Sequence, residues 1–379
     1  MAYPHPFRPG PAGPISVEHA DAPAPGTLVV DLDALARNYR RMRDAAAPAE
    51  CAAVVKADAY GLGLAPVAAR LALEGCTRFF VATVDEGREL RRLLPDATIY
   101  VLEGVPGGAA PALHAAFLTP VLNSLDQIAC WTAAGGGAAI LHIDTGMARL
   151  GLAESEVEAL AAQPALLDGI DVEYVMTHLA CADTPSHALN GAQLLLFERL
   201  RARLPAAPTS IGASAGTFLD RAHRGDLVRA GIGLYGGNPF SDRACPVEPV
   251  VTVRARIVQL RDVAVAGTVG YGATYAVQPP CRLAVCAVGY ADGYPRAVGN
   301  RCVASFDGTR LPVVGRVSMD LTCIDVSALP AGALRPGDYI DLIGGAVTLD
   351  EVAAAADTIG YEILTRLGSR LERRYIGEF

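Results

Sequence analysis

Between residues 51 and 232, short apolar runs alternate with helix-like stretches, and that alternation restricts the chain to very few architectures. The runs cover residues 52–55, 79–84, 99–102, 118–122, 138–143, 172–177, 209–213 and 227–232. Between them lie helically patterned segments at 64–74, 85–94, 125–134, 157–162, 187–204 and 215–223, with a weaker one at 106–117 where Gly and Pro crowd the start. Eight buried-looking strands alternating with helices predict an α/β fold, a (β/α)8 TIM-type barrel, which typically takes ~250 residues. A doubly wound sheet accommodates the same alternation, and periodicity alone does not separate the two.

Past residue 235 the pattern changes. Long β-branched runs at 250–260, 283–288, 311–317, 321–326 and 339–343 are punctuated by Gly, Pro and Asp, and a helical pair at 349–358 and 363–374 closes the chain. The expected division is a flexible Pro-rich lead at 1–26, a barrel at 27–240, and a mostly β C-terminal domain at 241–379. Residues 27–45, a strand followed by an amphipathic helix, are candidates to pack with the second domain.

Bulk properties exclude several function classes. A net charge of −8 argues against binding a phosphate backbone. No run approaches the ~18 apolar residues of a membrane span. Nine cysteines, an odd number without a CxxC pair, read as reduced thiols of a cytoplasmic protein, with neither a disulfide framework nor a metal site. The lead carries seven prolines and no apolar core of a signal peptide.

Lys56 stands out against this background. The chain has 32 Lys plus Arg, of which 31 are arginines, so Lys56 is its single lysine. It ends an apolar run, Ala53-Val54-Val55, and precedes a Gly-bearing turn. Guanidinium stays protonated, whereas a desolvated ε-amine loses its proton and condenses with carbonyls. A lysine left over by compositional drift belongs more often on a polar helix face.

Other polar groups fall at matching strand ends, where barrel enzymes carry their chemistry. Arg149 follows the fifth run, His178 ends the sixth, Ser214 follows the seventh, and Arg229, Gly231 and Ile232 lie in the eighth. The last two strands are where barrels often hold a phosphate. Ser214 serves equally as a helix N-cap, and His178 as a satisfied core histidine. Arg149 and Arg229 lie among apolar neighbours and need acceptors if buried. In the second domain, Tyr290 follows a strand at a Gly-flanked turn suited to presenting a phenol. An amine, a phosphate cradle and two buried cations together point to pyridoxal 5′-phosphate (PLP) with an anionic substrate.

Six motifs now carry a resemblance. Val54-Val-Lys-Ala-Asp-Ala-Tyr-Gly61, Asp144-Thr-Gly-Met-Ala-Arg-Leu-Gly151, Val228-Arg-Ala-Gly-Ile-Gly-Leu-Tyr-Gly236, Gly289-Tyr-Ala-Asp-Gly-Tyr294, Gly315-Arg-Val-Ser-Met-Asp320 and Tyr361-Glu-Ile-Leu-Thr-Arg-Leu-Gly368 occur in one order. From residue 27 onward the chain resembles the alanine racemase family. The resemblance implies that Lys56 binds PLP covalently and acts as one acid/base. Tyr290 is implied as the opposite acid/base, reaching the site from the other subunit of a homodimer. Tyr60, Ser214, Gly231, Ile232 and Tyr361 are implied to hold the phosphate, Arg229 the pyridine nitrogen, and His178 to position Arg229. Arg149 and the Met319 amide, the latter from the partner, are implied to hold the substrate carboxylate.

Some positions depart from the family pattern. Many members carry a lysine, modified to a carbamate, two residues before the Asp of the Asp-Thr-Gly-Met motif. Here that place is His142, so an anion or another hydrogen-bond acceptor is expected to orient Arg149. Ala213 and Ala230 stand where the family usually has Asn and Pro. The expected function is interconversion of L- and D-alanine, supplying D-alanine for peptidoglycan. A broad-specificity racemase, a PLP-dependent decarboxylase and a non-catalytic PLP-binding protein are the alternatives. A decarboxylase has no use for a second base at Tyr290.

Overall fold

The computed structural model describes residues 24–377, so most of the expected Pro-rich lead at 1–26 lies outside the described residues. The chain opens with β1 (Gly26–Asp31), followed by α1 (Leu32–Ala46), whose first turn is capped by the Asp31 carboxylate accepting from Ala34 N at 2.8 Å. A barrel follows: β2 (Glu50–Val54), β3 (Arg78–Val81), β4 (Thr98–Val101), β5 (Thr119–Leu122), β6 (Gly137–His142), β7 (Ile170–Met176), β8 (Thr209–Ser210) and β9 (Leu227–Ala230). Neighbours pair in parallel, and β9 returns to β2 with Ala53 opposite Ala230, which excludes an open doubly wound sheet. Closure between β8 and β9 comes from a parallel bridge, Ala213 to Arg229.

The barrel strands are buried on both faces, inside by one another and outside by helices, so they read as apolar runs and not as alternation. The helical segments between the strands are α2 (Lys56–Gly61), α3 (Leu64–Leu73), α4 (Val84–Leu93), α5 (Ala110–Ala115), α6 (Leu125–Ala133), α7 (Glu154–Ala162), α8 (Ala188–Arg201) and α9 (Ser214–Thr217). The helix expected at 215–223 is broken into α9 and a separate 3-10 turn. Gly212 and Gly216 both pack against the His223 carbonyl, so the chain doubles back there.

The second domain is built on β10 (Val251–Val263), thirteen residues long. With β11 (Gly267–Val269), β12 (Tyr275–Val277), β13 (Cys281–Cys286), β14 (Val303–Phe306), β15 (Thr309–Pro312), β16 (Thr322–Asp325) and β17 (Tyr339–Ile343) it forms a mainly antiparallel assembly. Strand β1 pairs with β10, so this sheet also takes in the start of the chain. Then come α10 (Leu349–Ala355) and α11 (Gly360–Arg366). The helix expected at 363–374 stops early. Leu367 turns extended and the chain continues as β18 (Glu372–Ile376), parallel to β1, where strand pairing overrides local helical preference. No helix among the described residues is long and apolar enough to cross a membrane.

Candidate active site

Nine of the eleven residues singled out above meet in one cavity of about 500 Å³ at the C-terminal mouth of the barrel. Lys56, Tyr60, His178, Ser214, Arg229, Gly231, Ile232, Tyr361 and Arg149 all line it, with His142 beside them. Tyr290 and Met319 do not.

Lys56 leads into a backbone of unusual hand. Ala57, Asp58, Ala59 and Tyr60 all have φ between 51° and 58° and ψ between 34° and 52°, so α2 is one turn of left-handed helix. Such a conformation costs non-glycine residues roughly 1–2 kcal/mol each, and it is held from several sides. Asp58 Oδ1 accepts from Leu64 N at 2.6 Å, Arg373 donates to Gly61 O at 3.0 Å, and the Tyr375 hydroxyl donates to Leu62 O at 2.9 Å. The Lys56 amine is half-buried. Burial lowers its proton affinity first, and the Arg149 and Arg229 cations lower it further, against an opposing pull from Glu86. An amine so placed is a competent nucleophile and base.

At one end of the cavity polar groups converge as an anion cradle would require. Ser214 Oγ accepts from Gly231 N at 2.9 Å and from Gly233 N at 3.2 Å, so it caps the 3-10 turn at Ile232–Tyr235 and not its own helix. Tyr60 is buried against Tyr235, with ring centroids 4.6 Å apart. Burial raises its pKa, which keeps the hydroxyl a donor. That hydroxyl stands where an added Cβ on Gly231 would meet it at 2.6 Å, so only glycine leaves the cradle open.

Arg229 crosses the barrel interior, fully buried. It donates to Ser210 Oγ at 2.6 Å, Thr177 O at 2.8 Å, Ile211 O at 3.1 Å and His178 Nδ1 at 3.1 Å, all neutral acceptors. Burial lowers its pKa to about 9, which still leaves it charged at neutral pH. Because guanidinium only donates, His178 must accept at Nδ1 and carry its proton on Nε2. Burial and Arg229 hold His178 well below the usual histidine range.

His142 is likewise neutral. Burial foremost, then Arg229, push it down to about 3. The Asn123 amide donates to Leu102 O and Val121 O, which turns its Oδ1 toward His142 Nδ1 at 2.7 Å and makes that nitrogen the proton carrier. A lowered histidine pKa means that the unfolded chain binds the proton first. Stability is therefore expected to fall as pH drops from about 6.5 toward 3, by about 1–2 kcal/mol per histidine by pH 5. Urea midpoints at pH 7 and pH 5 check this, and His142→Gln should flatten the slope.

Arg149 departs from expectation. It is exposed, and its guanidinium makes no hydrogen bond or ion pair among the described residues, so neither the expected burial nor an orienting protein acceptor is found. The reason lies in its loop. Asp144 Oδ1 accepts from the amides of Gly146, Met147 and Ala148, and Ala148 takes a positive φ of 54°. This folds the loop tightly and leaves Arg149 exposed at the rim of the cavity.

Tyr290 and Met319 share another face. Tyr290 N donates to Ser318 O at 3.0 Å and Ala291 N to Met319 O at 2.9 Å. Buried Asp292 binds Gly289 N and both Nε and Nη2 of Arg370, which also reaches Asp320. The two loops are thus one unit. Beside them stands a residue that sequence reasoning passed over. Tyr271 sits at the tip of the β11–β12 hairpin between Gly270 and Gly272, both at φ 72°. It is 72% exposed, against 41% for Tyr290. The Arg316 guanidinium packs against Gly272. A tyrosine between two glycines was the available signal, but strands of three residues each leave little pattern to frame it.

Comparison with known proteins extends this picture. Residues 30–239 match the family model described as alanine racemase, N-terminal domain, and residues 250–375 the alanine racemase, C-terminal domain. The chain is 47% identical over 366 residues to a protein of Mesorhizobium japonicum named "Alanine racemase, catabolic", covering 94% of this chain and 95% of that one. It is 49% identical over 354 residues to an alanine racemase of Methylobacterium nodulans, covering 92% and 95%. Its fold superposes with a TM-score of 0.89 on alanine racemase from Bartonella henselae with covalently bound pyridoxal phosphate, at 38% identity over 93% of this chain and 100% of that one. The biosynthetic alanine racemase of Pseudomonas aeruginosa gives a TM-score of 0.87 at 35% identity, over the same shares.

Proposed function

We propose, from the premise that the chain belongs to the alanine racemase family, an assignment of its residues to the two-base interconversion of L- and D-alanine. It is a PLP-dependent isomerase. The observation that carries the assignment is the shared cavity, with a half-buried amine at one end and a glycine-lined cradle at the other. Tyr60, Ser214, Tyr361 and the amides at Gly231 and Ile232 suit a phosphate, the Gly231 amide being shared with Ser214 Oγ. The buried Arg229, surrounded only by neutral acceptors, suits the electron-rich pyridine nitrogen, to which it donates without releasing its proton. His178 positions it. Bound PLP acidifies the Cα–H of the amino acid that it carries.

The protein's own groups then move the protons. Lys56 Nζ removes or returns the Cα proton on one face of alanine. A phenol of the partner subunit serves the other face, in a homodimer whose sites are shared. Arg149 and the partner's Met319 hold the carboxylate, and an anion beside neutral His142 would steady Arg149. Sequence reasoning assigns the phenol to Tyr290. The exposure of Tyr271 at a hairpin tip favours Tyr271 instead, since a group that must enter another subunit has to protrude.

Chiral analysis of the product from L-alanine tests the reaction, and release of an amine and CO2 in place of D-alanine would point to decarboxylation. Rates on other L-amino acids test breadth of specificity. Gly231→Ala should weaken PLP about 10- to 100-fold, since overpacking costs about 1–3 kcal/mol. Fluorescence titration of the apoprotein measures it. In the cell we assign the enzyme to the cytoplasm and to supplying D-alanine for peptidoglycan. The relatives named catabolic support a second reading, degradation of alanine. A deletion strain that requires D-alanine supports supply, and one that merely fails to grow on alanine supports degradation.

A further inference from the structure

Glu86 occupies the third position of α4, where a glutamate ordinarily closes a capping box. The box is present, with Glu86 N donating to Thr83 Oγ1 at 3.3 Å and Thr83 N donating to Glu86 Oε2 at 3.3 Å. Both contacts are long. The carboxylate's short bonds lie elsewhere, from Ala82 N to Oε2 at 2.7 Å and from Ala57 N to Oε1 at 2.8 Å.

Ala57 lies 29 residues away from Glu86 in sequence. It is the residue after Lys56 and the first of the left-handed turn. The carboxylate therefore cross-links the loop after β2 to the loop after β3, which helix capping does not require. Strained backbone of this kind persists only where its surroundings over-determine it. Asp58 and the C-terminal strand hold the far side of the turn, and Glu86 holds the side next to the amine. Glu86 is also the carboxylate whose charge acts on the Lys56 amine against Arg149 and Arg229.

We propose that Glu86 is a positioning residue for Lys56: its carboxylate pins the Ala57 amide and so sets where the amine stands in the cavity. The inference rests on Lys56 being the amine that binds the cofactor. Apoprotein is mixed with PLP, covalent attachment is followed by visible absorbance, and borohydride reduction with peptide mapping identifies the residue bound. Glu86→Ala is expected to slow attachment about 10- to 100-fold, the scale of a misplaced reacting group. In the holoenzyme kcat should fall by a similar factor, with KM for alanine changing less than about threefold. Hydrogen exchange at the Ala57 amide should accelerate. Glu86→Gln, which keeps one acceptor oxygen, should be affected less and folds if the alanine variant does not.

Glu351→Gln is the comparator, because Glu351 closes the same box on α10 with Thr348, away from the cavity. It should cost stability and leave attachment at the wild-type rate. Attachment unchanged in both Glu86 variants overturns the proposal, as does an equal loss in Glu351→Gln. A wild-type protein that binds PLP at no Lys56 peptide overturns the Lys56 assignment and this inference with it, and shows itself before any Glu86 variant is made.

Discussion

Replacing Lys56 by alanine is expected to lower racemisation by at least about 10⁴-fold, because one side chain both holds the cofactor and moves a proton. Appearance of D-alanine from L-alanine, followed by chiral chromatography, measures it. Lys56→Arg should fare no better, since guanidinium neither condenses with a carbonyl nor gives up its proton near neutral pH. The chain has no second lysine to take over. Added methylamine should restore part of the alanine variant's rate, because the cavity is large enough to admit a small base. Activity of Lys56→Ala close to wild type would end the assignment.

The second large effect separates two phenols. Tyr271→Phe is expected to lower kcat by about 10²- to 10⁴-fold, the usual worth of a positioned acid/base. Tyr290→Phe should cost less than about tenfold, because its backbone is tied down beside Met319 and its ring lines a groove of its own chain. The opposite ranking would return the role to Tyr290. Mixing inactive Lys56→Ala subunits with inactive Tyr271→Phe subunits adds a test of shared sites. A hybrid dimer contains one site with both groups intact, so activity should reappear on subunit exchange. No recovery from a mixture shown to contain hybrid dimers would place both groups on one chain.

Much of the fold was legible because barrel strands leave continuous apolar runs. Lys56 was legible because every other cation is arginine. Most of what stayed hidden shares one cause, that long-range partners decide it. Residues 372–376 look helical until β1 is there to pair with them. Arg149 is the local exception, since it sits among apolar neighbours in sequence yet the Asp144 turn leaves it exposed at the cavity rim. Glu86 reads as an ordinary capping residue, and only the left-handed turn across from it reveals its shorter bonds. Ser214 was ambiguous for the same reason, its hydroxyl bonding amides 17 and 19 residues away.

Strand β18 carries a consequence for how the protein is made. Arg373 and Tyr375, within a few residues of the last described position, grip the carbonyls of Gly61 and Leu62 just past the lysine turn. Synthesis proceeds from the N-terminus, so the barrel's eight strands leave the ribosome long before that grip exists. A nascent chain can collapse into a barrel while its reactive lysine still lacks a fixed posture. Competence for the cofactor thus waits until residues 373 and 375 have emerged, and a chain cut short before residue 372 would lack that grip and be a poor catalyst.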